Sequence, residues 1–208
     1  MRVKREEIEW VRFNSADTGK HDLPRVLLIG DSITEGYYQA VKELLKGEFY
    51  VDYLALAYSV DMPIFHRLIL TFVRENRYDV IHFNHGHHCG HMKTLDLYRE
   101  KTVELLNRIG TERIVLANCT VLYEPRSMEP DHNWITLLPL MNDTIAGIAD
   151  ELSVPLNDLY TVSAGIGPEG IREDGGHFTP VGYAVVADKV ASTLRGFIAK
   201  KKNGPETR

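Results

Sequence analysis

Five times along its 208 residues the chain places a short, nearly continuous apolar run ahead of a longer amphipathic stretch. "RVLLIG" (25–30) precedes "YYQAVKELLKG", "FYVDYLAL" (49–56) precedes "PIFHRLILTFVREN", and "YDVIHFN" (78–84) precedes "LDLYREKTVELLNRIG". "RIVLAN" (113–118) precedes "WITLLPLMNDTIAGIADEL", and "VPLNDLY" (154–160) precedes "PVGYAVVADKVASTLRGFIAK". Runs that do not alternate in polarity suit strands covered on both faces, and apolar spacing of three and four suits helices that do the covering. The alternation predicts an α/β three-layer sandwich around a doubly wound, five-stranded parallel sheet. No linker or internal repeat interrupts it, so one domain over 1–208 is expected, with a core at about 24–199 and a flexible tail at 200–208.

Composition narrows the function classes. A formal net charge of −5 and a single short basic run, "KKKNGPETR", argue against nucleic acid or an anionic membrane as partner. No apolar stretch has the length of a secretory signal or a membrane span, and the two cysteines make no disulfide framework. A cytoplasmic protein is the expectation; oligomeric state is left open.

Folds of this kind carry their sites outside the carboxyl ends of the strands. There the chain has "GDSITEG" (30–36), "ALAYSVDMP" (55–63), "NHGHHCGH" (84–91) and "NCTVLYEPRSMEPDHNW" (118–134). Ser32 would stand at the start of the first helix, where Ser32-x-x-Glu35 also reads as a capping box. Far along the chain, "REDGGHFTPVGY" (172–183) sets Asp174 three residues before His177, with Thr179 and Pro180 as cap and first residue of the last helix. A serine nucleophile needs a base within hydrogen-bond reach, and the base needs a group that holds its tautomer. One Asp-x-x-His turn can supply both.

These segments together resemble the SGNH, or GDSL, hydrolase family, whose first block is Gly-Asp-Ser and whose last is Asp-x-x-His. The resemblance runs over almost the whole chain in the expected order, including "DLY" (158–160), and implies the family's flavodoxin-like fold. It implies Ser32 as nucleophile, His177 as general base and Asp174 as the residue orienting that base. The family's third block is Gly-x-Asn; here Gly86-His87-His88 falls on it, which places His88 in the role of oxyanion donor, as in branches with Gly-x-His. A neutral imidazole retains one N–H for that role. The second block ordinarily contributes a glycine N–H to the oxyanion hole. "LALAYSVDMP" (54–63) has no glycine, which leaves the backbone of Ser59 or Asp61, beside that of Ser32 itself.

Five histidines in "HFNHGHHCGH" (82–91) raise the question of a metal. Alternation along a strand turns His82 away from His85 and His87, and no carboxylate or cysteine pair with a familiar ligand spacing accompanies them. No metal or other cofactor is predicted. His82 is expected in the interior and His85 and His91 at the rim or surface. Asp31, His87, Arg126 and Asn133 are candidates for substrate contacts, Asp31 also for a loop-stabilising hydrogen bond.

The reaction class implied is transfer of an acyl group from an ester to water. The long polar loop 120–134 and the lack of an apolar lid favour a short acyl group, such as acetyl, on a carbohydrate or another small polar alcohol. Alternatives are a lysophospholipase- or thioesterase-like hydrolase of the same family, and a non-catalytic carbohydrate-binding protein on the same fold.

Overall fold

Three strands bury every one of their residues and set the frame of the sheet: β2 (Arg25–Gly30), β4 (Val80–Asn84) and β5 (Ile114–Ala117). The computed structural model describes residues 7–90, 92, 94–123 and 133–203. With β1 (Val11–Asn14), β3 (Tyr50–Leu56) and β6 (Leu156–Asn157) the strands form one six-stranded sheet in the order β1-β3-β2-β4-β5-β6. From β2 to β6 all pairings are parallel, and their order is the flavodoxin-like one.

Successive strand residues face opposite layers. Val26 and Leu28 belong to the cluster that holds Tyr37 and Val41 of α1 (Ser32–Leu44), Leu159 of α5 (Leu159–Ala164) and Val186 and Val190 of α6 (Pro180–Asn203). Leu27 and Ile29 join Phe65 and Ile69 of α2 (Pro63–Glu75), Leu105 of α3 (Leu95–Ile109), and Ile145 and Ile148 of α4 (Asn133–Leu152). Two apolar layers, one on each side of the sheet, explain why the strand sequences lack alternation.

The sheet departs from five parallel strands by one. β1 adds an antiparallel edge to β3, with Val11 opposite Leu56 and Asn14 opposite Tyr53, and all four of its residues are exposed. It is pinned from below. Arg25, paired with the buried Asp52 at 3.0 Å, donates to the carbonyls of Ala16 and Asp17, while Asp52 accepts from the Ala16 N–H. The expected fifth strand over 154–160 is shorter than its apolar run suggests. Only Leu156 and Asn157 pair with β5, and Asp158 then caps α5 by accepting from the Thr161 N–H. At the other end α6 continues through Asn203, so the expected tail from 200 begins as helix.

Between β2 and β4 the winding of the sheet reverses direction, which leaves a crevice beyond their carboxyl ends. At Gly30, the last residue of β2, a side chain would collide with Thr34 and with the Asn84 carbonyl; glycine lets the chain leave β2 tightly against β4. Ser32 and the histidine segment 85–88 emerge side by side at this point.

Candidate active site

α1 begins immediately after β2, and its N-cap is Asp31 rather than Ser32. The Asp31 carboxylate accepts the Ile33 N–H at 2.9 Å and is buried. This corrects the capping-box reading by one residue, and it gives Asp31 the kind of loop-stabilising hydrogen bond also considered for it. Glu35, the other half of the expected box, instead accepts from Arg12 of β1. Ser32 Oγ is thereby left for another partner. That partner is His177, 145 positions away in sequence: its Nε2 lies 2.8 Å from Ser32 Oγ.

The turn 172–178 is built to hold the imidazole. Asp174 Oδ1 accepts the N–H groups of Gly176 and His177, at 2.9 and 2.8 Å, and Oδ2 lies 2.9 Å from His177 Nδ1. Burial raises the Asp174 pKa, but the two backbone donors and the imidazole outweigh it and hold the carboxyl below its ordinary value. With Nδ1–H donating to Asp174, Nε2 has its lone pair toward Ser32, which is the arrangement a general base requires. Thr179 accepts from the Gly182 N–H at 3.5 Å and Pro180 opens α6, as the sequence led one to expect.

On the other side of Ser32 stands the histidine segment. After β4 the chain passes Gly86 and makes a single 3-10 turn over His87–Cys89. A side chain at Gly86 would meet the Cys119 sulfur, whose backbone is in turn held from both sides by Asn142. His88 is partly exposed and near two rings: His85, at 6.3 Å and nearly parallel, and Trp10, at 6.4 Å and 87°. His87 is tied to Thr120 through Nε2 at 3.2 Å. Burial lowers its pKa, and the nearby Asp31 carboxylate opposes that shift.

The remaining second-block and loop candidates fall as follows. Ser59 is buried and donates to Cys89 Sγ at 3.5 Å, which straps its loop to the histidine turn. Asp61 lines a cleft of about 260 Å³ with His66, Arg67 and Lys101. Asn133 is the first residue of α4. Arg126 and His91 lie outside the described residues. A cleft of about 320 Å³ flanks the Asp174 turn, lined by Tyr123, Ile166, Pro168, Ile171, Arg172 and Glu173. Trp10 was missed in the sequence because only the pairing of β1 with β3 brings it to this edge.

His82 and His85 are interior residues. His82 is fully buried in β4, with Nδ1 3.5 Å from Tyr37 Oη and Nε2 3.0 Å from Asn157 Nδ2. His85, expected at the rim, is also buried: its ring packs on Phe65 at 4.5 Å and its Nδ1 lies 3.8 Å from Cys89 Sγ. Among the described residues, no group of three or more histidine, cysteine or acidic side chains is arranged to hold a metal ion.

Burial pushes His82 down to about 3 and His85 to about 4. Both are neutral in the fold, whereas the unfolded chain takes up protons below about pH 6.5. Their contribution to stability is therefore complete above that pH and is lost as pH falls toward 4, by up to about 1.4 kcal/mol per pH unit for each. Urea unfolding at pH 5 should give a stability about 3–4 kcal/mol below that at pH 7. Carboxylates with ordinary or lowered pKa values add little until about pH 4. Equal stability at the two pH values would contradict the buried, neutral assignment.

The same arrangement of strands and helices recurs in solved hydrolase structures. A lipase/acylhydrolase from Enterococcus faecalis superposes with a TM-score of 0.65 at 17% identity, over 84% of this chain and 96% of its own. A GDSL-like lipase from Bacteroides thetaiotaomicron gives 0.63 at 15%, over 83% and 88%. An acetylxylan esterase from Geobacillus stearothermophilus gives 0.64 at 18%, over 84% and 94%. No family model matches the chain, and no curated protein matches it in sequence. The fold is thus that of the SGNH/GDSL lipases and esterases, and at such low identity the likeness establishes architecture alone. No helix among the described residues is long and apolar enough to cross a membrane.

Proposed function

We propose that this protein is a serine-dependent ester hydrolase of the SGNH type, which removes a short acyl group, such as acetyl, from a carbohydrate or another small polar alcohol. The observation that carries the reading is the Ser32–His177–Asp174 relay at 2.8 and 2.9 Å, assembled from opposite ends of the chain at the crevice of the sheet. Ser32 Oγ attacks the ester carbonyl carbon while His177 Nε2 accepts its proton. The imidazolium, stabilised by Asp174, returns that proton to the departing alcohol oxygen. Water then attacks the acyl-serine with His177 again as base, the acyl C–O bond to Ser32 breaks as His177 returns the proton to Oγ, and the acid leaves. Nucleophile, base and orienting carboxylate are all side chains, so these steps require no cofactor.

The tetrahedral intermediate carries negative charge on the former carbonyl oxygen, and donors aimed there supply much of the rate. His88 is assigned as the side-chain donor, with the backbone N–H of Ser32 and of Ser59 or Asp61 beside it. His88→Ala should lower kcat by about 10²–10³ with the melting temperature nearly unchanged. His88→Asn, which restores an N–H donor, should recover part of the loss. An unchanged kcat in His88→Ala would remove the assignment.

For the substrate, the cleft beside the Asp174 turn is of sugar size and mixes Tyr123 and isoleucines with Arg172 and Glu173, a lining that suits a polar alcohol. The likeness to an acetylxylan esterase supports the same choice. A panel of acetylated sugars and of chromogenic esters from acetyl to decanoyl tests it. Acetyl esters should be turned over fastest. A preference for long acyl chains would favour a lysophospholipase-like activity instead, and binding of sugars without turnover would favour the carbohydrate-binding alternative.

A further inference from the structure

We propose that Trp10, carried to the catalytic edge by β1, is a positioning residue that holds the His88 imidazole in the orientation from which it donates to the oxyanion. The inference rests on the assignment of His88 made above. Trp10 precedes β1, and because Val11 lies opposite Leu56, its carbonyl accepts the N–H of Ala57, the first residue beyond β3, at 3.0 Å. That places the indole past the carboxyl ends of the strands, between the glycine-less second block and the histidine turn. Its ring stands perpendicular to that of His88 at 6.4 Å, the edge-to-face geometry that aromatic pairs prefer.

The indole is itself held. The Arg12 guanidinium lies over it, 4.9 Å from its centroid, within the range of a cation–π contact. Arg12 Nη1 donates to both carboxylate oxygens of Glu35, at 2.9 and 2.8 Å, and Glu35 lies one turn beyond Ser32 on α1. A chain of contacts therefore runs from the helix that bears the nucleophile, through Glu35, Arg12 and Trp10, to the oxyanion donor. Below, Asn14 accepts from Tyr38 Oη, and Arg25 and Asp52 fix residues 16 and 17, so the strand that delivers Trp10 is tied to the domain at both ends. The second face of support for His88 is the buried, nearly parallel ring of His85. One ring edge-on to the imidazole and one inclined by 29° restrict both of its torsions, which a single contact would not.

This also gives the exposed β1 a purpose that its packing does not. All four of its residues are exposed, so it adds little buried apolar surface to the fold, yet it carries Trp10 to the ring of His88.

Two measurements test the proposal. Without substrate, the carbon-bound imidazole protons of His88, identified by their loss in His88→Asn, should show one sharp set of NMR signals displaced by the indole ring current. Trp10→Ala should remove the displacement and broaden the set, and Trp10→Phe should keep part of it. Unchanged His88 signals in Trp10→Ala would overturn the proposal. With an acetyl ester, Trp10→Ala should lower kcat about tenfold, between the worth of one ring pair and the loss of the donor itself, at nearly constant KM. Trp10→Phe should restore most of that rate. In the His88→Ala background, Trp10→Ala should cost nothing further. An equal tenfold loss in both backgrounds, or an effect on KM alone, would show that Trp10 does not act through His88. If the wild type cleaves no ester of the panel, the hydrolase reading falls, while the NMR measurement still decides whether Trp10 orients His88.

Discussion

Replacing Ser32 by alanine should lower ester hydrolysis by about 10⁴- to 10⁶-fold, measured with a chromogenic acetate. The substitution removes Ser32 Oγ, which His177 Nε2 is placed to deprotonate, and leaves the proposed oxyanion donors to assist water directly. Because Asp31 rather than Ser32 caps α1, the helix keeps its first-turn hydrogen bond in the variant. Its melting temperature should therefore stay within a few degrees of wild type, a shift that corresponds to less than about 1 kcal/mol. Loss of rate with loss of fold would say nothing about a nucleophile, and the position of the cap removes that ambiguity.

Asp174→Asn should cost about 10⁴ in kcat, again without unfolding. The asparagine carbonyl can still accept the N–H groups of Gly176 and His177, so the turn survives. Its amide would donate to His177 Nδ1, and the imidazole would then carry its proton on Nε2, pointing at Ser32 with nothing to accept. The carboxylate is held below its ordinary pKa by donors that outweigh its burial, so in the wild type it remains an acceptor well into the acid range. Kinetics in the variant from pH 5 to 9 should show the loss at every pH. An unchanged kcat would mean that another group orients the base, or that His177 is not the base.

Much of this candidate site is legible in the sequence because the proposed chemistry demands residue types at fixed places on the fold. Ser32 had to follow a buried strand and open a helix, and Asp174 and His177 had to share a glycine-rich turn before the last helix. Residues whose roles are set by long-range packing left no such mark. The pattern Ser32-x-x-Glu35 fits a capping box, yet Asp31 caps one residue earlier, and Glu35 is drawn off by Arg12 from a strand 23 residues upstream. β1 is four exposed residues, too short for the alternation of Val11-Arg12-Phe13-Asn14 to announce a strand, and Trp10 is invisible as a candidate site residue without it. His85 follows β4, and its burial against Phe65 of α2 is a long-range contact that the local pattern does not mark. The apolar run 154–160 conceals a two-residue strand and a helix start, because Asn118 accepts from the Leu159 and Tyr160 N–H groups and bends the chain there.

The central claim is that Ser32 is a nucleophile activated by His177, and covalent capture tests it most directly. A serine-directed phosphonate should add a single label to the intact wild-type protein, with peptide mapping placing it on Ser32, and the label should be absent from Ser32→Ala and much slower to form in Asp174→Asn. Labelling at another residue, or hydrolysis of esters by a protein that takes up no label, would contradict the account.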